Sequence, residues 1–335
     1  MNSRAWVELP TAQKARCVVR SMRRRLRRTI VGAPFVKGAH VTSQRNLQSP
    51  RRQLLAALPV QEQRLKLASI STAVLQGGEG PPVVLLHGPM GCAAHWMELI
   101  PGLAQAHTVI APDLPGHGAS ETGDGMLDLS HVLAWLGALI ERTCPAPSVL
   151  VGQLLGGAIA LRFAIEHGEL LERLVLIDTF GLAPLQPPPA FGQALMQYQA
   201  EPSAATHEGL WRYCAFDLER LHERMGERWK PFEAYNVETA RAPATRAAMP
   251  GLMQAFGFPA IAPHELERIK VPTSLIWGRH DMAMPLAVAE AAAKRLGWPL
   301  HVIENANDDP PIEQPKAVLR ALQMEIRRRE RVPNP

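Results

Sequence analysis

A few residues in this chain have the type and spacing that chemistry needs. Cys92 and His95 stand three residues apart, and an imidazole at that spacing could lower a thiol pKa and make it nucleophilic. A small buried thiol packing its loop explains the same residues, and that reading is favoured. Carboxylates gather towards the C-terminus at Asp281 and at the adjacent pair Asp308 and Asp309. Neighbouring Asp308 and Asp309 tend to point in different directions, which makes them poor joint ligands for a divalent cation with Asp281. Cys17, Cys92, Cys144 and Cys214 are scattered without a CxxC pair. They suggest reduced thiols, neither a disulfide framework nor a zinc site. No resident metal or cofactor is expected.

The elements that must position these groups become regular from about residue 64. Leu65, Leu67 and residues 69–74 read as a pair of strands closed by Gly77-Gly78-Glu79-Gly80. Short apolar runs follow at Val83–Leu86, Val109–Ala111, Val149–Val151, Leu174–Ile177, Thr273–Trp277 and Leu300–Ile303. Helical stretches at 93–104, 129–143, 155–167, 286–296 and 313–330 alternate with them. That alternation predicts an α/β fold, a mostly parallel sheet covered by helices on both faces. From Asp178 to Thr273 no apolar strand intervenes. Pro187–Pro189 instead lead into helix-like segments carrying Trp211, Phe216, Trp229, Tyr235 and Phe256. Residues 180–265 are therefore expected to form a helical cap inserted between two strands.

Five landmarks occur in a telling order. His87-Gly88 follows one strand, and Asp113-Leu114-Pro115-Gly116-His117-Gly118 follows the next. Gly152-Gln153-Leu154-Leu155-Gly156-Gly157 makes a strand-to-helix turn. Trp277-Gly278-Arg279-His280-Asp281 and Asn307-Asp308-Asp309-Pro310-Pro311 close the last two strands. Over residues 64–330 the chain resembles the α/β-hydrolase superfamily. That resemblance implies a core of 64–179 and 266–335, with the nucleophile elbow at 152–156, the acid at Asp281 and the catalytic histidine position at 308.

At those positions the residue types depart from the family pattern. Leu154 stands where the nucleophile belongs, and Leu has no lone pair to attack a carbonyl; Gln153 and Leu155 rescue no shifted register. Asp308 stands where the histidine belongs, and a carboxylate with an ordinary pKa of roughly 4 is a poor general base at neutral pH. Asp281 would face Asp308. Two carboxyls in a poorly hydrated crevice cannot both ionise cheaply, so one should hold a proton and could serve acid/base catalysis. The oxyanion donors would be the Leu155 N–H and either residue 89, where Pro89 has none, or Met90. Gly88, Met90, Leu154 and Leu155 are the expected pocket. His280, His301, His87, His117 and Asp113 read as structural. Two functions follow. The favoured one is a pseudo-hydrolase that binds a small hydrophobic molecule or a protein partner. The other is a hydrolase-like enzyme working on a small hydrophobic substrate through Asp281 and Asp308.

Composition agrees with a large α/β body and isolates an unusual N-terminus. The chain has 335 residues, 47% hydrophobic and 20% charged, with a net charge of +5. Residues 1–70 hold 15 basic groups against two acids, while the remainder carries 21 against 29. The basicity thus belongs to an arm, drawn at residues 1–63, and argues against nucleic acid as the body's partner. Val18, Met22, Leu26 and Ile30 recur every four residues among arginines, as on a basic amphipathic helix. A solvated tail is the first reading. Adhesion to an anionic membrane surface, organelle targeting, nucleic-acid binding and a true start at Met22 are the others. With no apolar run of roughly 18 residues, a cytoplasmic protein is expected, membrane-associated through the arm if at all.

Overall fold

The computed structural model describes residues 49–123 and 127–328. The amphipathic segment around Met22 lies outside them. Eight strands form one sheet in the order β1-β2-β4-β3-β5-β6-β7-β8. Their ranges are β1 Gln61–Leu67, β2 Ile70–Gly77, β3 Pro82–Leu86, β4 Thr108–Pro112, β5 Ser148–Gln153, β6 Leu171–Ile177, β7 Thr273–Gly278 and β8 Leu300–Ile303. The first two strands pair antiparallel, as do β2 and β4; every later pairing is parallel.

Side-chain alternation along the strands explains why both faces are covered. Val83, Leu85, Val149, Val151, Val175 and Ile177 point to one apolar layer. Val84, Leu86, Leu150, Leu174 and Leu176 point to the other. A period of two with apolar residues at every position buries both sides of a strand. The longer helices, numbered in chain order, are α1 Pro50–Leu55, α2 Leu129–Thr143, α3 Leu155–His167, α4 Pro189–Ala200, α5 Ala204–Cys214, α6 Leu218–Met225, α7 Trp229–Arg241, α8 Pro243–Leu252, α9 Leu286–Leu296 and α10 Pro315–Arg327. Helices α2, α3 and α9 pack on the second layer, while α10 and the turn Ile100–Leu103 pack on the first. The segment between β6 and β7 is helical throughout its regular structure, α4 to α8 plus the turn Pro263–Leu266. The eight-stranded, mostly parallel sheet with a helical insertion is the α/β-hydrolase fold.

The boundary drawn for the arm at residue 63 needs correcting, since it falls inside β1. Ser49 caps α1 by accepting a hydrogen bond from the Arg52 N–H, and Leu54 is buried. Arg51, counted above with the arm's charge, packs half-buried against the body. Its guanidinium pairs with Asp113 at 2.9 Å, donates to the Tyr235 hydroxyl at 2.6 Å and to Glu62 at 2.9 Å. Asp113 is fully buried and also accepts from the Ala93 and Ala119 N–H groups. Arg51 therefore joins α1, the loop after β4 and cap helix α7. Removing one partner of a buried ion pair leaves an uncompensated charge. Arg51→Met is expected to cost about 3 kcal/mol in urea denaturation, with Arg51→Lys between it and the parent because an ammonium cannot reproduce the fork. A loss below about 1 kcal/mol would show that the two N–H groups alone support Asp113.

Among the described residues no helix is long and apolar enough to cross a membrane.

Candidate functional site

Parallel strands end together, so the residues just past β3, β5, β6, β7 and β8 converge at one edge of the sheet, where α/β folds place their ligands. Leu154 follows β5 and precedes α3 with φ 47° and ψ −111°, a conformation that costs a non-glycine residue on the order of 1–3 kcal/mol. Neighbours hold it there. Its N–H donates to the Ile177 carbonyl at 3.0 Å, and its own carbonyl accepts from Ala158 at 3.0 Å and Phe180 at 3.2 Å. The turn is tight enough that a Cβ on Gly156 would lie 2.3 Å from the Leu86 carbonyl oxygen. The Leu154 side chain leans over the loop after β3, where a Cβ on Gly88 would come within 3.2 Å of its Cδ1.

Above this edge the cap encloses a cavity of about 320 Å³, within the range that small-molecule sites occupy. Gly88, Pro89, Met90, Gln153, Leu154, Asp308 and Asp309 contribute from the sheet edge. Phe180 and Leu185 contribute from the cap's entry, Leu195 from α4 and Trp211 from α5. Of the four residues expected there, Gly88, Met90 and Leu154 line the wall, whereas Leu155 is buried in the core as the first residue of α3. Gln153 ties the elbow to the loop after β8, donating to the Asp308 carbonyl at 3.3 Å and to Asp309 Oδ1 at 2.9 Å.

The carboxylates are arranged differently from the expected pair. Asp281 lies behind the wall, where its Oδ1 accepts from the Ala283 and Met284 N–H groups, each at 2.8 Å. Asp178, the residue after β6, feels its charge, and the Oδ2 atoms of both carboxyls are buried without a hydrogen-bond partner. Asp178 also accepts from the Gly278 N–H at 2.8 Å and is fully buried. Asp308 feels the charge of Asp281, and its side chain lies beside the Cys214 thiol. Burial pushes Asp281 up to about 7. Burial, with the charge of Asp281 next, holds both Asp178 and Asp308 well above the usual carboxylate range. Asp309 is raised by burial as well, and Glu313, just beyond, is pushed up to about 8 for the same reason. Among the described residues no three His, Cys, Asp or Glu side chains converge in a way that could hold a metal ion.

The other candidates are engaged away from the cavity wall. Cys92 is buried outside the wall, and burial followed by the charge of Asp113 pushes its thiol up to about 12. His87 accepts from the Leu114 N–H and donates to the Gly88 carbonyl, and burial keeps it neutral. His280 stacks on Phe216, and His301 pairs with Glu325. Sequence reasoning missed Asp178, Cys214 and a polar relay in the cap. In that relay His95 Nε2 donates to Asn236 Oδ1 at 2.9 Å, and Asn236 Nδ2 donates to His207 Nε2 at 3.1 Å. Burial lowers His207 to about 3, so its neutral ring carries the proton on Nδ1. A rule that strand ends make sites could have found Asp178. No comparable signal marks the cap residues.

A sequence model of the alpha/beta hydrolase family matches residues 83–321, from β3 into α10. The chain belongs to this family. A 2-hydroxymuconate semialdehyde hydrolase from Pseudomonas sp. strain CF600 is 32% identical over 235 residues, covering 65% of this chain and 77% of that protein. A 2-hydroxy-6-oxo-2,4-heptadienoate hydrolase from Pseudomonas putida is 28% identical over 265 residues, 77% of this chain and 93% of that one. Uncharacterized proteins of Mycobacterium bovis and Mycobacterium tuberculosis are 37% identical over 115 residues, and that match spans 31% of their length and 31% of this chain. Among solved structures, a Bacillus subtilis carboxylesterase superposes with a TM-score of 0.71 at 21% identity, over 83% of this chain and 96% of that one. For this hydrolase-family chain the likeness to that esterase establishes the fold.

Proposed function

We propose that this member of the alpha/beta hydrolase family binds a small apolar molecule in the cavity beneath its cap and does not hydrolyse it. The observation that carries the reading is Leu154. It occupies the strained strand-to-helix turn, lines the cavity, and offers hydrocarbon where acyl-transfer chemistry needs an oxygen or sulfur nucleophile. Asp308, at the position the resemblance gives to histidine, supports the same conclusion. Its carboxyl is held above the usual range by burial, with the charge of Asp281 next. A protonated acid of that kind cannot accept a proton from an attacking group.

A second reading keeps some chemistry, since Asp308 and Asp309 line the cavity and a buried carboxyl can donate a proton to a bound substrate. Asp281 gives this reading less support than expected, because it does not line the cavity and its Oδ1 is engaged by two N–H groups behind the wall. One experiment separates the two. The purified protein is exposed to a fluorophosphonate probe and to p-nitrophenyl esters from acetate to octanoate. No labelling and no turnover above background are expected, while an apolar alcohol that fits the cavity raises the melting temperature and is recovered unchanged. Ester turnover that disappears in Asp281→Ala or Asp308→Asn would overturn the binding reading in favour of the second.

A further inference from the structure

The floor of the cavity carries a neutral acceptor that the protein leaves open. Gln153 ends β5 beside Leu154 and lines the wall while only 2% exposed. Its Nε2 donates to the Asp308 carbonyl at 3.3 Å and to Asp309 Oδ1 at 2.9 Å, which uses both of its hydrogens. A peptide carbonyl can only accept, so the amide nitrogen must lie on that side and Oε1 on the other. Among the described residues nothing donates to Gln153 Oε1, and it is not sealed off as the unpartnered Asp308 Oδ1 is. The cap side of the wall differs, because His95 Nε2, both ends of the Asn236 amide and His207 Nε2 are spent on one another. An acceptor left bare in apolar surroundings is costly, and a ligand that brings a donor removes the cost.

From that floor the wall becomes apolar and more exposed. Met249 and Met253 are half-buried and Phe258 is 54% exposed, which places the mouth beside them. Met253–Gly257 form a single π-helical turn after α8, closed by the Phe258 N–H donating to the Met253 carbonyl at 2.8 Å. Closure over five residues returns Phe258 to the side of Met253, so both reach the cavity. Unbranched methionines adapt to hydrocarbon of varied shape.

We propose that the cavity receives an elongated apolar molecule with one terminal hydroxyl, whose O–H donates to Gln153 Oε1 and whose tail leads out past Met249, Met253 and Phe258. The proposal rests on the reading of this cavity as a ligand site and adds the chemistry of the ligand's polar end. An ether or ketone oxygen only accepts and leaves Gln153 Oε1 bare. A carboxylate likewise brings no donor, and it finds no lysine or arginine among the described wall residues to balance it.

Calorimetric titration with three compounds tests this, namely 4-phenylbutan-1-ol, its isomer methyl 3-phenylpropyl ether and 4-phenylbutanoate. The ether has the same atoms as the alcohol but no O–H, so burial of hydrocarbon alone would favour the ether. The alcohol is expected to bind about tenfold more tightly than the ether, with the carboxylate weakest. In Gln153→Met the alcohol's advantage should fall to about twofold or less. Phe258→Ala, at an exposed position, should weaken alcohol and ether alike by about threefold, because it touches only the tail. An ether that binds as tightly as the alcohol, a carboxylate that binds tightest, or an alcohol preference that survives Gln153→Met overturns the proposal and leaves the apolar ligand site standing. Binding of none of the three overturns both. If Gln153→Met fails to fold, the parent's ranking and Phe258→Ala decide, since an alcohol preference lost in Phe258→Ala would put the hydroxyl at the mouth and overturn the proposal.

Discussion

The melting temperature should fall as pH is raised from about 6.5 to 8.5, the opposite of a protein held together by ionised carboxylates. Unfolded carboxyls lose their protons near pH 4. In the fold, burial first and neighbouring charge second keep Asp178 and Asp308 protonated well beyond that, with Asp281 at about 7 and Glu313 at about 8. The native state therefore binds more protons than the unfolded chain from about pH 4 up to each raised pKa, and stability declines over that span. His87, His117 and His207 act in the other direction, because burial keeps them neutral when the unfolded chain would protonate them. Their contribution is complete above about pH 6.5, the ordinary imidazole value, so beyond it the carboxyls act unopposed.

A single group that still holds its proton loses the fold about 1.4 kcal/mol per pH unit. Asp281, protonated up to about 7, and Glu313, up to about 8, account for roughly 3 kcal/mol of decline over the window, and Asp178 and Asp308 add to it as further such groups. Asp308→Asn removes one of them, so it should be more stable than the parent at pH 8.5 and no more stable at pH 6. Thermal and urea melts at the two ends of the window check this. A parent profile that is flat or rising, or an Asp308→Asn profile parallel to the parent's, would refute the idea that these carboxyls are held neutral.

The sheet and cap were legible in the sequence because strand burial writes itself as short apolar runs, and because the cap interrupts them. Val83–Leu86 and Leu174–Ile177 have apolar residues for both faces, and both became central parallel strands. Linear order also located Asp281 and Asp308, since each follows a strand end. What it could not supply was direction. Asp281 turns to Asp178 behind the sheet edge, and that choice depends on the φ of 45° at Asp178 and on the N–H groups of Ala283 and Met284. Cys214 reaches Asp308 from the last turn of α5, and Asn236 reaches His95 from the middle of α7. Helix packing in the cap sets those meetings, and no spacing along the chain encodes them. Arg51 was hidden for another reason. It sits in a block of like charge that reads as solvated arm, yet its partner Asp113 is 62 residues away in sequence, at the turn after β4.

The double change Leu154→Ser with Asp308→His should give ester hydrolysis and fluorophosphonate labelling at residue 154, with p-nitrophenyl butyrate turned over about a hundredfold faster than by the parent. Backbone geometry is the reason to expect it. The φ of 47° at residue 154 aims its side chain out of the turn and into the cavity, and the bonds to Ile177, Phe180 and Ala158 hold it there whatever the side chain is. Gln153 keeps the loop bearing residue 308 against the elbow through the Asp308 carbonyl, a contact that side-chain replacement leaves intact. An imidazole at 308 would meet Asp281, whose Oδ1 already accepts from two N–H groups and which would then orient and balance the charged ring. Leu154→Ser alone lacks a base, and Asp308→His alone lacks a nucleophile, so each single variant should stay close to the parent. An imidazole is larger than a carboxyl and will press on Cys214; Cys214→Ala added to the pair makes room for it. A pair or triple variant that folds, binds 4-phenylbutan-1-ol as the parent does and still turns over no ester would mean that the backbone itself no longer closes a triad. In that case the proposed departure from hydrolysis lies deeper than the residue types at 154 and 308.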